Sequence, residues 1–277
     1  MTRTLGKRPI WQTACIYIAL VVVTLFFLLP LLWIVRCSLI TKAQAYQIPP
    51  DFSVALTLEN YKEVLFDNKF GRYYLNSAIV ALVSTVLSVV FGAMSSYWLS
   101  RQQGNMTGAK LAILATQMIP PIVLVIPISS IIRSVGLNDT WMALVLAYLT
   151  FNLPYVIWML MGFYDNVPKE LDEAAAIDGA STFQTFFQIV FPLIAPGMMA
   201  TAVYSFLTSW NEFVFALVLS GNSTRTIPVA IAALETQHGV KIAELCASTT
   251  LAILPIVILS SFIKKYPVNG LTFGSIK

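Results

Sequence analysis

The run Asn166-Val-Pro-Lys-Glu-Leu-Asp-Glu-Ala-Ala-Ala-Ile-Asp-Gly-Ala-Ser-Thr-Phe-Gln-Thr-Phe-Phe-Gln-Ile-Val-Phe-Pro-Leu-Ile-Ala-Pro196 writes two short helices and the turn between them. Pro168 suits a first helical turn, Glu170, Asp172 and Glu173 favour the positive start of a helix, and Ala174 to Ala176 are strong helix formers. Gly179 ends that helix, because glycine adopts the left-handed backbone of a C-terminal turn at little cost. Ser181 with Gln184 three residues on reads as a capping box that opens a second helix, which Pro192 and Pro196 are expected to terminate. Phe183, Phe186, Phe187 and Val190 recur at steps of three and four on that second helix and form a large apolar patch. Either a partner covers it, or it packs against the ends of this chain's own spans.

On both sides of this polar bracket the chain is too apolar for water. Of 277 residues, 57% are hydrophobic and 11% charged, and the mean hydropathy is +0.77, whereas a soluble domain runs roughly 45–50% apolar and about 25% charged. Lipid must solvate the excess, which excludes a freely soluble enzyme. One histidine and three scattered cysteines, Cys15, Cys37 and Cys246, give neither a zinc nor an iron–sulfur spacing nor a disulfide framework. The net charge of +4 is not gathered into a basic stripe with interleaved aromatics, so a nucleic-acid groove is not expected.

A membrane helix needs about 20 apolar residues, and that length recurs six times. The expected spans run approximately Thr13 to Val35, Asn76 to Leu99, Lys110 to Ile132, Thr140 to Phe163, Gly197 to Leu219 and Ile242 to Ile263, within one transmembrane domain covering residues 1–277. The fold class is therefore all-α and polytopic, with the bracket, residues 165–196, between the fourth and fifth spans. Arg3, Lys7 and Arg8 precede a first span too long for a cleaved leader, so it is read as an anchor with the N-terminus inside; six spans then put both ends in the cytoplasm. Pro30, Pro120, Pro121, Pro127, Pro154 and Pro255 fall inside spans, where each removes a backbone donor and bends the helix.

On the fifth span Tyr204, Ser205, Thr208, Asn211 and Glu212 fall at helical steps as one polar stripe. An ionisable group such as Glu212 at membrane depth reads as functional by default. Two readings stay open: the stripe lines a path for a polyhydroxylated solute, or Glu212 sits near the outer boundary, capping or pairing with another helix. Asn152 and Thr150, before Pro154, and Gln117, before Pro120, are further lining candidates.

Glu173-Ala174-Ala175, then Gly179, then Ile189 and Pro192 resemble the EAA loop of ABC-importer permeases, with the same spacing throughout; Phe191 replaces the usual leucine before the proline. Trp210-Asn211-Glu212-Phe213 and the tail Gly270-Leu271-Thr272-x-Gly274-x-x-Lys277 are similar to the second permease of carbohydrate-uptake importers, the maltose and glycerol-phosphate group. The likeness covers essentially the whole chain. It implies a non-catalytic subunit of the inner membrane that moves a carbohydrate or related polyol. It also implies a second permease, two copies of a separate ATPase that binds ATP and Mg, and an extracytoplasmic binding protein, with no cofactor on this chain. Under the same resemblance Glu173, Ala174, Ala175, Gly179, Phe183, Phe186, Phe187, Ile189 and Pro192 form the ATPase-coupling element. The chain itself lacks a Walker A motif, since Gly104-Asn-Met-Thr-Gly108-Ala-Lys110 has the wrong spacing and no Ser/Thr after the lysine. The alternative class is a secondary transporter of a polar solute driven by an ion gradient, which calls for coupled intramembrane charges and internal repeats.

Overall fold

The computed structural model describes residues 10–67, 69–102, 106–236 and 239–263. His238, the basic residues before position 10 and the tail motif from Gly270 lie outside them. Besides short helical turns at Lys42–Ala45, Glu59–Lys62 and Glu63–Asp67, the described helices are α1 (Ile10–Ser38), α2 (Phe70–Arg101), α3 (Thr107–Gln117), α4 (Pro121–Ser134), α5 (Trp141–Tyr164), α6 (Glu170–Ile177), α7 (Thr182–Trp210), α8 (Val214–Leu219), α9 (Ile227–Ala232) and α10 (Ile242–Ile263). Among them α1, α2, α5, α7 and α10 are long and apolar enough to cross a membrane, and α3 with α4 makes a sixth span if the pair counts as one.

That pair departs from the single span expected over Lys110 to Ile132, because the two helices meet at 91°. The cause is local. Pro121 opens α4 and, through its ring, keeps Pro120 in an extended conformation (φ −61°, ψ 134°) that no helix can pass through.

The chain forms two compact units. One gathers the residues up to 67 with residues 234–251. Here Asn60 Nδ2 donates to the carbonyls of Ser38 (3.0 Å) and Ile40 (2.7 Å), Lys42 pairs with Glu63 (2.7 Å) and Glu244 (2.9 Å), and Tyr46 donates to the carbonyl of Val240. A two-residue antiparallel ladder, Glu235–Thr236 with Gly239–Val240, was not foreshadowed by the sequence reading. Cys37 and Cys246 are buried free thiols of this unit.

The other unit, residues 69–233 with those from 252, is built on the packing of α2 against α5 and α7. Its α2 buries Ser77, Ala81, Ser84, Ser88, Gly92 and Ser96, small side chains at steps of three and four. Such a face lets backbones approach closely where lipid offers no hydrophobic gain from association. Approach is closest at Gly92, where a Cβ would lie 2.5 Å from Cγ1 of Val156, and Ser96 Oγ donates across the same seam to the carbonyl of Ile157 (3.0 Å).

Beyond α4, Asp139 clasps the segment that follows α8. Its carboxylate accepts from the backbone N–H of Gly221 (2.8 Å), Ser223 (3.0 Å) and Thr224 (2.9 Å) and from Thr224 Oγ1 (2.7 Å). Burial works to raise its pKa, but these hydrogen bonds outweigh it and pull the group from 3.8 to about 2. A depressed carboxylate adds stability that is complete above its unfolded value and fades as pH falls toward the folded one. Asp139→Ala is therefore expected to lower thermal stability at neutral pH by on the order of 1–2 kcal/mol. The gap between variant and wild type should close between pH 3.8 and about 2, as circular dichroism melts in detergent will show.

Candidate functional site

Two places draw together the residues singled out by sequence, and both lie in the larger unit. The first is a cavity of about 510 Å³ whose walls come from α3, the start of α4, α5, α7 and α8. Of the expected polar stripe, Tyr204, Thr208, Asn211 and Glu212 line it, as do Gln117 and Thr150. Ser205 does not. Consecutive helical residues point about 100° apart, and Ser205 is turned into the packed interior, fully buried. Asn152 is also buried rather than lining; it donates to Ser209 Oγ (2.7 Å) and accepts from Thr208 Oγ1 (3.0 Å), so it stands behind the cavity wall and fixes the Thr208 side chain. The ring of Tyr204 stacks on that of Tyr155, centroids 4.2 Å apart and planes 26° from parallel, an aromatic pair the sequence reading did not single out.

Glu212 occupies a break. The expected fifth span, Gly197 to Leu219, is interrupted after Trp210, and α8 starts afresh at Val214. Glu212 Oε1 accepts the N–H of Phe215 (2.9 Å), Oε2 that of Ala216 (3.0 Å), and Tyr148 hydrogen-bonds the same carboxylate. An anion at the positive start of a helix satisfies donors that otherwise have no partner. Glu212 thus caps α8 and borders the cavity at once, and the two readings of it are not exclusive. Glu212→Ala is expected to reduce uptake by about tenfold while leaving membrane insertion intact, since about 1–2 kcal/mol of helix capping is lost beside the cavity; transport assays paired with protease accessibility will check it.

The second place is the bracket. Helix α6 ends in a complete glycine cap: Gly179 has φ +82°, its N–H donates to the carbonyl of Ala176 (3.1 Å), and the N–H of Ala180 reaches that of Ala175 (2.9 Å). The reciprocal Ser181–Gln184 box opens α7. Pro192 and Pro196 do not terminate that helix, contrary to expectation. Residues Thr185–Val190 form a wider π turn, Pro192 falls at the first turn of the α-helical stretch that follows, and α7 runs on to Trp210. A widened turn just upstream leaves room for the proline ring, which would strike a tight α-helical turn.

The apolar patch divides. Phe186 and Val190 are buried in a cluster with Ala93, Tyr97, Val156, Leu160 and Tyr164, and Ile189 packs at its edge. Phe183 (63% exposed), Phe187 (42%) and Ile177 (87%) face outward, and Glu173 and Ala174 are exposed while Ala175 is buried. What holds the bracket to α2 was not read from sequence. Asp172 accepts from the Tyr97 hydroxyl and pairs with Arg101 Nε at 2.9 Å; Arg101 also donates to the carbonyls of Tyr164 (3.3 Å) and Val167 (3.2 Å).

A bundle of membrane-length helices with a cavity among them and a capped polar bracket between two of them is the architecture of a polytopic membrane protein. Residues 109–270 match the family described as binding-protein-dependent transport system inner membrane component, and the chain belongs to that family. It is accordingly a multi-pass protein of the inner membrane and an importer permease, which sets aside the ion-gradient alternative. It is 33% identical to the sulfoquinovosyl glycerol transport system permease protein SmoH of Agrobacterium fabrum, over 90% of this chain and 89% of that one. It is likewise 33% identical to the trehalose/maltose transport system permease protein MalG of Thermococcus litoralis, over 98% and 99%. Among solved structures it resembles a bacterial ABC transporter involved in the import of the acidic polysaccharide alginate, with TM-score 0.76, 20% identity and coverage of 96% of this chain and all of that one.

Proposed function

We propose that this chain is the non-catalytic half-channel of an ATP-driven importer of a carbohydrate or related polyol. In this reading a second permease completes the pathway, two ATPase subunits carry ATP and Mg, and an extracytoplasmic binding protein delivers the solute, so that this chain needs no cofactor. Both termini and the bracket lie in the cytoplasm. Glu173, Ala174, Ala175 and Gly179 shape the coupling element, and Phe183, Phe187 and Ile177 are the apolar knobs that a cleft in the ATPase receives. Phe186, Ile189 and Pro192 anchor it inward.

The observation that carries the reading is the cavity, where the exposed face of Tyr204 stands beside Thr208, Asn211 and Gln117. Pyranose rings present apolar faces edged by hydroxyls, so an aromatic plane next to oxygen- and amide-bearing side chains suits them. The relatives named for sulfoquinovosyl glycerol and for trehalose and maltose support the same class. The test is uptake of labelled saccharides into proteoliposomes holding the reconstituted complex. Uptake should require ATP and the binding protein and should be indifferent to a proton or sodium gradient; uptake without the ATPase would overturn the proposal.

A further inference from the structure

The hydrogen-bonding groups of the cavity wall are unevenly arranged. Thr116 Oγ1 donates to the carbonyl of Ile113 (2.7 Å), Thr150 Oγ1 to that of Ala147 (2.6 Å), and Thr208 Oγ1 to that of Ser205 (2.9 Å) and to Asn152 Oδ1 (3.0 Å). Each hydroxyl has therefore committed its single proton and has only lone pairs to offer. The two amides lean the same way. Gln117 Nε2 donates to the carbonyl of Phe151 (3.2 Å) and Asn211 Nδ2 to that of Leu207 (2.8 Å), which fixes the nitrogen end of each. Their carbonyl oxygens have no partner among the described residues, and one amide hydrogen on each joins the Tyr204 hydroxyl as the remaining donors.

Charge runs in the same direction. Glu212 is the one Asp, Glu, Lys, Arg or His among the described lining residues, and its partners, the backbone N–H groups of Phe215, Ala216 and Val214 and the Tyr148 hydroxyl, are donors, which suits a carboxylate. The described lining includes no Lys, Arg or His to balance it. A phosphate, sulfonate or uronate is an acceptor that carries negative charge. Against this wall it would meet more lone pairs than donors, three donors in all, and a like charge in a medium that screens poorly. A neutral polyol, or one bearing an ammonium group, supplies protons to the lone pairs that predominate on the wall.

We propose that this cavity admits hydroxyl-rich neutral or cationic solutes and turns away anionic ones, so that the imported carbohydrate carries no phosphate, sulfonate or carboxylate. The inference rests on the proposed function for the identity of the cavity as the solute path, and it separates this chain from the relatives whose named solutes are acidic.

The wall can be probed without knowing the solute. In the reconstituted complex Leu207→Cys, on the cavity wall but outside the polar set, places a thiol there. Its reaction rates with trimethylammonium-ethyl, hydroxyethyl and sulfonatoethyl methanethiosulfonates are measured by peptide mass spectrometry, each relative to 2-mercaptoethanol. The cationic reagent should be favoured over the anionic one by at least about tenfold, with the neutral reagent between them. Gln117→Lys, which leaves the cap on α8 untouched, should abolish or reverse that bias, and Glu212→Gln should reduce it. Equal rates, an anionic preference, or no reaction with any of the three would overturn the proposal. Saccharide uptake in the same proteoliposomes keeps the two readings apart: ATP-driven import of an acidic sugar at the rate of its neutral counterpart defeats this inference alone, whereas ATP-independent import defeats the proposed function.

Discussion

Asp172→Ala is expected to cut ATP-driven uptake by at least about tenfold while the assembled complex continues to hydrolyse ATP. The carboxylate ties α6 to α2, taking a hydrogen bond from Tyr97 and an ion pair from Arg101 at 2.9 Å. Removing it strands a guanidinium whose side chain is only 14% exposed. Losing one partner of a fully buried pair costs about 3–5 kcal/mol, which the residual exposure here brings down to about 1–3 kcal/mol. That loosens the bracket without melting the bundle, whose core of small residues along α2 is untouched. Asp172→Asn retains an acceptor for Tyr97 and should fall between wild type and alanine. Uptake and phosphate release, measured together on one proteoliposome preparation, give the ratio that matters, and an unchanged ratio in Asp172→Ala would place the grip outside the transport cycle.

Gly179→Pro is expected to have an effect of similar size for a different reason. Proline holds φ near −65°, whereas position 179 needs +82°, and the substitution also deletes the N–H that closes on Ala176. Forcing that geometry costs about 3 kcal/mol or more at the turn between α6 and α7. A Cβ at this position would meet nothing within 4 Å, so the penalty comes from backbone conformation and the lost N–H rather than from crowding. Gly179→Asn, which tolerates the left-handed region, is therefore expected to keep most of the uptake that Gly179→Pro loses. Equal losses in the two variants would show that the side chain, not the turn, is what matters there.

The parts of this protein legible in its sequence are those governed by local physics. Gly179 announces a left-handed turn because few other residues accept one, Ser181 and Gln184 announce a helix start because they sit three apart, and the apolar runs announce spans by length. The break at Pro120–Pro121 was visible as a pair of prolines, although its 91° angle was not. What escaped is of two kinds. Arg101 and Asp172 are 71 positions apart and meet only because α2 and the bracket fold together; nothing in either neighbourhood marks the pair. Phe183, Phe186 and Phe187 look alike as a patch, yet one is buried and two face outward, a division set by the π turn within Thr185–Val190 and by where Tyr97 and Tyr164 lie. The same turn misled the reading of Pro192 as a stop.

That unbroken passage from the bracket into the fifth span has a mechanical corollary. Helix α7 begins at Thr182 beside the exposed phenylalanines and carries Tyr204 and Thr208 into the cavity wall. At 1.5 Å per residue those two regions are separated by roughly 40 Å of stiff rod, so a tilt of about 5° pivoting at one end sweeps the other through roughly 3 Å. A hinge at Pro192 would have absorbed that motion. Without one, a tilt imposed at the aromatic tip reaches the cavity wall undiminished, as a displacement comparable to a hydrogen-bond length.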